Sequence, residues 1–447
     1  MNKVMDRLTP PQILTMGFLL IIIVGAFLLT LPLAQSPGQH VSYLDALFTA
    51  VSATAITGLT VVNTATTWSL FGQVVILVMI EIGALGFMTF AVLLLTLTKQ
   101  RLDLKARLLA QQALNLQNLS DVRTMLTYVF SLSAIIQLIG MVLLAVDFVP
   151  RFGWAQGLYY SLAHSISAFG NAGFTFFSAP MSQFKGDPYV LLVLMFLISA
   201  GSLGFLVWRD LLSWKSRHRR LSLHTRMALA TSGWLIAGGF FGFMLTEKFL
   251  AGMSSLDVFH RIIDNLFLAI VPRTAGLEVI PMSSLSAGGL IIVMTLMFVG
   301  GTPGSTSGGI KTTTLGILWL QSMAALRGQE QVNFGDRQIS QSNIIKAMML
   351  AVISIAFVLF VSLILSITET VPKGYGLEYI TFEVISAFST TGFSLGLTPH
   401  LSAVGKVIIM LVMFIGRVGL YTVMFSVLNI RDRPTHYRYP TEEIIIG

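Results

Sequence analysis

The chain has 447 residues, of which 54% are hydrophobic and 11% charged, with a net charge of +8 and no cysteine. Soluble proteins carry about 25% charged residues, so a soluble enzyme, a disordered chain and a repeat solenoid are excluded and a polytopic helical membrane protein remains. The basic residues sit in short runs between apolar stretches, which fits a membrane better than nucleic acid, and disulfides, thiolate metal sites and thiol catalysis are impossible.

A membrane crossing needs about 20 apolar residues. In chain order the stretches that qualify are 12–33, 70–98, 125–149, 188–213, 227–246, 286–320 with an interruption, 346–368 and 402–429. The first is longer than a signal-peptide core and lacks an A-x-A site followed by a soluble domain, so it reads as a span. With Arg209, Lys346 and Lys406, near span ends, counted with their adjoining connections, the termini and even-numbered connections hold 19 Lys and Arg against 7 in the odd-numbered ones. That bias predicts both termini in the cytoplasm.

The odd connections, 34–69, 150–187, 247–285 and 369–401, each hold a short apolar segment followed by small residues and a glycine. Tyr43–Ala53 precedes Thr54–Gly58, and Gln156–Ala168 precedes Phe169–Gly173. At about a dozen residues these segments are too short to cross and read as re-entrant half-helices. Ser42 with Asp45, Ser254 with Asp257, and Glu378 stand near three of their starts.

Alignment on the glycines exposes an internal repeat. Ile56-Thr57-Gly58, Asn171-Ala172-Gly173, Thr274-Ala275-Gly276 and Thr390-Thr391-Gly392 each place a small residue before the glycine, and a large apolar residue follows it. The glycines lie 115, 103 and 116 residues apart. The expected fold is therefore all-α: four parallel copies of helix, re-entrant pore helix, filter loop and helix around a pseudo-fourfold central pore. The repeats fall at 1–98, 125–213, 227–320 and 346–429. Cytoplasmic connections at 99–124, 214–226 and 321–345 and a tail at 430–447 complete the chain.

Such a unit has specific electrostatics. A half-helix ending near the membrane centre aims the negative end of its dipole there. The loop that follows leaves carbonyls without helical partners, so they must line a polar path or bind a cation. Oxygen rings that replace a hydration shell are how a pore selects K⁺.

With these motifs in view, nearly the whole chain resembles the membrane subunit of the bacterial Ktr potassium transporters, within the Trk/Ktr/HKT superfamily. The resemblance rests on the four filter glycines, the interrupted third-repeat helix and the intramembrane Arg417. It implies a K⁺ pathway in each chain, a homodimer in the bacterial plasma membrane, and a cytoplasmic ring of nucleotide-binding regulatory subunits of the KtrA or KtrC type. In that superfamily glycine at all four filter positions accompanies K⁺ selectivity and serine at the first accompanies Na⁺ transport, so Gly58 argues for K⁺. Na⁺ dependence stays open.

The sixth span is broken by Gly300-Gly301-Thr302-Pro303-Gly304-Ser305-Thr306-Ser307-Gly308-Gly309. Five glycines and a proline cannot continue a helix, and backbone of this kind survives at membrane depth only inside protein or along a water-filled cavity. Lying after the third filter, it is expected to be the gate, and the superfamily has a matching intramembrane loop. The stretch nearly fits G-x-x-x-x-G-K-[ST], but Ile310 intrudes before Lys311 and no strand precedes it; a G-x-S-x-G elbow fails because Thr306 takes the serine position.

Arg417 is an intramembrane cation that should find carbonyl partners, and the broken loop is the expected one, making Arg417 a closing element of the gate. Lys311 is expected either to share that role or to snorkel to the cytoplasmic interface. Glu81 is expected to brace the first filter loop or to serve as a proton site. Arg273 should sit behind or above the filter, and His164 should be a packed histidine. Lys215-Ser216-Arg217-His218-Arg219-Arg220 suits anionic lipid headgroups, and the apolar end of the tail suits a dimer interface. No G-x-G-x-x-G occurs, so nucleotide must bind on a partner. The competing readings are an obligatorily coupled K⁺/Na⁺ or K⁺/H⁺ symporter and, more remotely, a membrane-embedded enzyme, which lacks a convergent acid, base or nucleophile set.

Overall fold

A computed structural model describes residues 10–86, 122–217, 221–247, 258–372, 374–420 and 422–424. The predicted tail packing, much of the first cytoplasmic connection, and the Ser254–Asp257 cap lie outside them. Helices run as α1 (Pro10–Thr30), α2 (Tyr43–Thr54), α3 (Leu70–Leu85), α4 (Val122–Phe152), α5 (Trp154–Gly170), α6 (Pro188–Ser202), α7 (Phe205–Arg217), α8 (Leu223–Thr246) and α9 (Val258–Ile270). There follow α10 (Ala287–Phe298), α11 (Thr312–Leu326), a two-stranded hairpin β1 (Asn333–Phe334) and β2 (Arg337–Gln338), α12 (Gln341–Thr368), α13 (Glu378–Ser389) and α14 (Ala403–Val418).

Among the described residues, α1, α4, α8 and α12 are the helices long and apolar enough to cross a membrane singly. They turn large apolar side chains outward, among them Leu20, Phe27, Leu138, Val146, Phe241 and Leu363. Exposed hydrophobic area on this scale marks a lipid-facing surface. The chain is an all-α polytopic membrane protein, and its shorter helices α2, α5, α9 and α13 pack inside.

The helix that follows the half-helix in each repeat, α3, α6, α10 or α14, is the inner helix and starts from a side-chain cap. Ser69, Ser286 and Ser402 accept from the amides of Gly72, Gly289 and Gly405, closing the first turns of α3, α10 and α14. Two of these serines are held by the end of the preceding outer helix. Glu247 Oε1 accepts from Ser286 Oγ at 2.7 Å, and Glu369 Oε1 accepts from Ser402 Oγ at 2.5 Å. A carboxylate at a helix N-terminus also complements the dipole.

The inner helices then end early. The expected continuous span 188–213 is instead two helices, α6 and α7, bent by 99° at Leu203-Gly204. Gly204 has φ +74°, a left-handed conformation that ends an α-helix. The third repeat breaks between α10 and α11, where the Val299 and Ile310 backbones form a parallel bridge across the base of the loop. The helix α11 runs six residues past the expected end at 320, and α12 starts at Gln341, ahead of the expected 346. The hairpin is tied to α8 by Arg226, which donates to Asp336 at 2.8 Å. That hydrogen bond holds the Asp336 carboxyl below its usual range.

Candidate functional site

The half-helices α2, α5 and α13 end in the same way. After the last turn, Ile56, Asn171 and Thr390 adopt left-handed φ of 58°, 57° and 52°. The next residue's amide reaches back into the helix: Thr57 to the Ser52 carbonyl at 2.8 Å, Ala172 to Ser167 at 2.8 Å, and Thr391 to Ser386 at 2.9 Å. This closure consumes the amides and leaves the following carbonyls unpaired by helix. A left-handed β-branched residue costs energy, and such outliers collect at functional sites. The third loop reaches its glycine differently, through a tight turn Val271–Arg273 and Thr274 at φ −164°, ψ −14°.

The four glycines come together. All have positive φ: Gly58 at 84°, Gly173 at 71°, Gly276 at 56° and Gly392 at 95°. A methyl added to Gly58 would meet the Ala172 carbonyl; on Gly173, the Ala275 carbonyl; on Gly276, the Thr391 carbonyl; on Gly392, the Thr57 carbonyl. The order closes on itself. Each loop's glycine abuts the carbonyl preceding the next loop's glycine, so the four turns form a ring in chain order, buried at Gly58, Gly173 and Gly276 and partly open at Gly392.

The loop 300–309 is packed against this ring. Its Thr302 and Thr306 are fully buried. The Thr302 amide donates to the Ser202 carbonyl at 3.0 Å, and Gly304 accepts from the Phe205 amide at 3.0 Å, which seats the loop in the α6–α7 break. Its own shape is held by the Gly301 amide donating to Ser307 Oγ at 2.8 Å and the Gly300 amide donating to the Ile310 carbonyl at 2.8 Å. Asn171 Nδ2 donates to Thr306 Oγ1 at 2.6 Å, and the Gly308 amide donates to Thr390 Oγ1 at 3.0 Å.

Two cations lie on the loop. The Arg417 guanidinium donates to the Thr306 carbonyl and to the Gly83 and Ala84 carbonyls at the end of α3. Lys311 folds back onto the loop: Nζ donates to the Ser307 carbonyl at 2.5 Å. Arg417, Lys311, Asn171 and Thr390 thus all bind the loop beside the ring.

Other singled-out residues lie elsewhere. Glu81 does not reach the first filter loop, contrary to the expected bracing role. It accepts from Gln137 Nε2 of α4 at 2.9 Å because its place on α3 faces that helix. Arg273 is buried behind the third loop and donates to Ser232 Oγ of α8 at 3.2 Å. His164 is stacked on Phe177 with centroids 4.0 Å apart. Its Nε2 accepts from the Phe176 amide, which leaves Nδ1 to donate to the Tyr160 carbonyl at 2.8 Å. Among the described residues no cluster of three or more His, Asp or Glu could hold a metal ion.

The sequence carries a second glycine pattern. Gly83-Ala84-Leu85-Gly86, Gly201-Ser202-Leu203-Gly204, Gly301-Thr302-Pro303-Gly304 and Gly416-Arg417-Val418-Gly419 form a G-x-x-G at the same place in every repeat. The second glycine has positive φ in all four: 82°, 74°, 73° and 94°. In repeats one, two and four the first glycine lies against the last turn of the half-helix, at the Thr54, Phe169 and Phe388 carbonyls, where any side chain would clash.

Comparison with known proteins adds four findings. A family model described as TrkH, cation transport protein, matches residues 9–433. The potassium/sodium uptake protein NtpJ of Enterococcus hirae is 42% identical over 447 residues, covering 100% of this chain and 99% of the relative. The Ktr system potassium uptake protein B of Bacillus subtilis is 40% identical over 442 residues, covering 99% and 97%. Among solved structures, the potassium transporter TrkH from Vibrio parahaemolyticus is similar in fold, with a TM-score of 0.69 at 18% identity, covering 94% of this chain and 86% of that one.

Proposed function

The chain belongs to the TrkH family of cation transport proteins, and from that premise we propose that it takes up K⁺ through a gated, channel-like path along the ring of four glycines. It is a transporter and not an enzyme. The observation that carries the proposal is the closed ring, in which the Thr57, Ala172, Ala275 and Thr391 carbonyls each lie against the neighbouring loop's glycine. Carbonyls so placed can replace the hydration shell of a monovalent cation. The C-terminal ends of the half-helices add negative potential, and glycine leaves no side chain to fill the path. Na⁺ is a candidate second permeant ion, in keeping with the printed name of the Enterococcus relative.

Residues 300–309 are the gate in this proposal, held shut by Arg417 and Lys311. Both put a positive charge where a cation leaving the ring must pass, so retracting the loop removes a steric and an electrostatic barrier together. Flow is downhill: the membrane potential supplies about 2.3 kcal/mol per charge per 100 mV, enough to concentrate K⁺ roughly 50-fold. Control by nucleotide would come from a separate cytoplasmic ring of subunits, with both termini and the connections 214–226 and 321–345 on that side and a second copy of the chain beside the first. The names of the Bacillus relatives, components of a Ktr system, support that arrangement.

The test is ⁸⁶Rb⁺ and ²²Na⁺ flux into liposomes carrying the full chain. Gly58→Ser and Gly392→Ser place an oxygen-bearing side chain on positive-φ residues of the ring, and each is expected to lower K⁺ preference over Na⁺ about tenfold. Unchanged preference in both variants overturns the filter assignment.

A further inference from the structure

The loop 300–309 is hydrogen-bonded to the ring-forming turns themselves, and not merely packed below them. Asn171 stands two residues before Gly173 and is fully buried. Its Nδ2 donates to Thr306 Oγ1 at 2.6 Å, while its Oδ1 accepts from Thr274 Oγ1 of the third filter turn at 3.0 Å. Thr306 Oγ1 in turn donates to the Phe169 carbonyl at 3.3 Å, the last turn of α5. On the other side Thr390, two residues before Gly392, accepts the Gly308 amide at 3.0 Å. The second, third and fourth filter turns are therefore joined to one loop through side chains.

The two anchoring residues hold the least relaxed backbone in their turns. Asn171 and Thr390 are the left-handed residues that set the direction of the carbonyls after them. Asparagine tolerates that conformation, and threonine does so poorly. When the loop leaves, Asn171 and Thr390 lose a buried partner, which is unfavourable unless the group rearranges. Fit of the ring around its ion and seating of the loop are then two faces of one equilibrium.

We propose that Asn171 and Thr390 are positioning residues that lock the filter turns to the loop, so that the identity of the ion in the ring biases whether the loop is seated. Coupling of this kind is reciprocal: if a seated loop favours one ion in the ring, that ion favours the seated loop by the same factor. This rests on the proposed K⁺ pathway and adds to it that selectivity and gating share residues.

Isosteric variants separate this from a packing role. Thr306→Val keeps the shape of the loop and touches no ring carbonyl, yet it removes the oxygen that Asn171 bonds. It is expected to raise flux in the unactivated state about fivefold and to lower the K⁺/Na⁺ permeability ratio about threefold; Thr390→Val should do the same. A raised flux with a wild-type ratio overturns the proposal, because the loop would then move without the filter. A second measurement covers the case of a variant that does not fold. The chain has no cysteine, so Ser305→Cys, a half-exposed loop position, gives a single thiol. Its modification rate from the cytoplasmic side is expected to differ at least threefold between K⁺ and Na⁺, and equal rates overturn the proposal. Gly58→Ser and Gly392→Ser are the controls: if both keep the preference for K⁺, the pore assignment itself falls, whereas if they lose it and Thr306→Val does not, only the coupling falls.

Discussion

The ring of filter glycines and the G-x-x-G layer beside it occupy matching places in all four repeats, yet they use the repeat in opposite ways. At the ring the four turns differ in composition and agree in geometry: Gly58, Gly173, Gly276 and Gly392 each abut the next loop's carbonyl. In the second layer the motif agrees and the outcomes differ. The helix α3 ends at Gly86, α6 bends by 99° into α7, α10 gives way to a ten-residue loop, and α14 ends beside Arg417. An ion on a central axis is shared by all four repeats, so their oxygens must be equivalent. The proposed gate has one moving part, and the other three repeats would hold it. The second repeat supplies the seat, the fourth supplies Arg417 and Thr390, and the first supplies the carbonyls that Arg417 also binds.

The largest expected effect strikes the ring. Gly276→Ala puts a methyl against the Thr391 carbonyl at a residue with φ +56°. Left-handed strain of about 1–2 kcal/mol and overpacking of about 1–3 kcal/mol add up to a loss of K⁺ flux of roughly 100-fold. Tracer uptake by liposomes with matched protein content measures it. Near-wild-type uptake would mean that the ring relaxes easily, and the claimed equivalence of its four positions would be lost.

Arg417→Gln acts in the other layer and in the opposite direction. The guanidinium joins the loop to α3 through three carbonyls, and a hydrogen bond to a charged group contributes about 1.5–3 kcal/mol. Glutamine keeps polarity without charge or reach. Unactivated K⁺ flux is expected to rise about tenfold. If flux instead falls while the protein stays folded, Arg417 supports the open path and the division of labour between the layers is wrong.

How much of this could be read from the chain alone follows from what each feature costs in sequence. The turns at Gly58, Gly173, Gly276 and Gly392 stand out because four spaced copies of one pattern are improbable by chance. The break at 300–309 is dense in glycine and cannot be missed. Gly86, Gly204 and Gly419 were passed over because a lone glycine in an apolar run is tolerated in a membrane helix, and only their common spacing reveals them. Glu81 was misplaced because helical position does not say which neighbour a side chain meets; here it is Gln137, 56 residues away. The bond between Asn171 and Thr306 spans 135 positions, and no local pattern encodes it.

The smallest expected effects come from two glycines of the G-x-x-G layer that share a backbone conformation and differ in surroundings. Gly204 has φ +74° and Gly304 has φ +73°, so alanine imposes the same left-handed penalty of about 1–2 kcal/mol at each. A methyl on Gly204 would press on Thr302 Oγ1 and the Pro303 carbonyl, at 2.6 and 2.8 Å, whereas one on Gly304 meets nothing within 4 Å among the described residues. The common penalty cancels in the comparison and the remaining difference reports only the seat of the loop. Gly204→Ala is expected to raise unactivated flux about threefold by pushing the loop from the α6–α7 break, and Gly304→Ala to stay within twofold of wild type. Equal fluxes in the two variants, measured side by side in one liposome preparation, would show that the bend at Gly204 does not hold the loop. The asymmetry of the second layer would then have to arise from the fourth repeat alone.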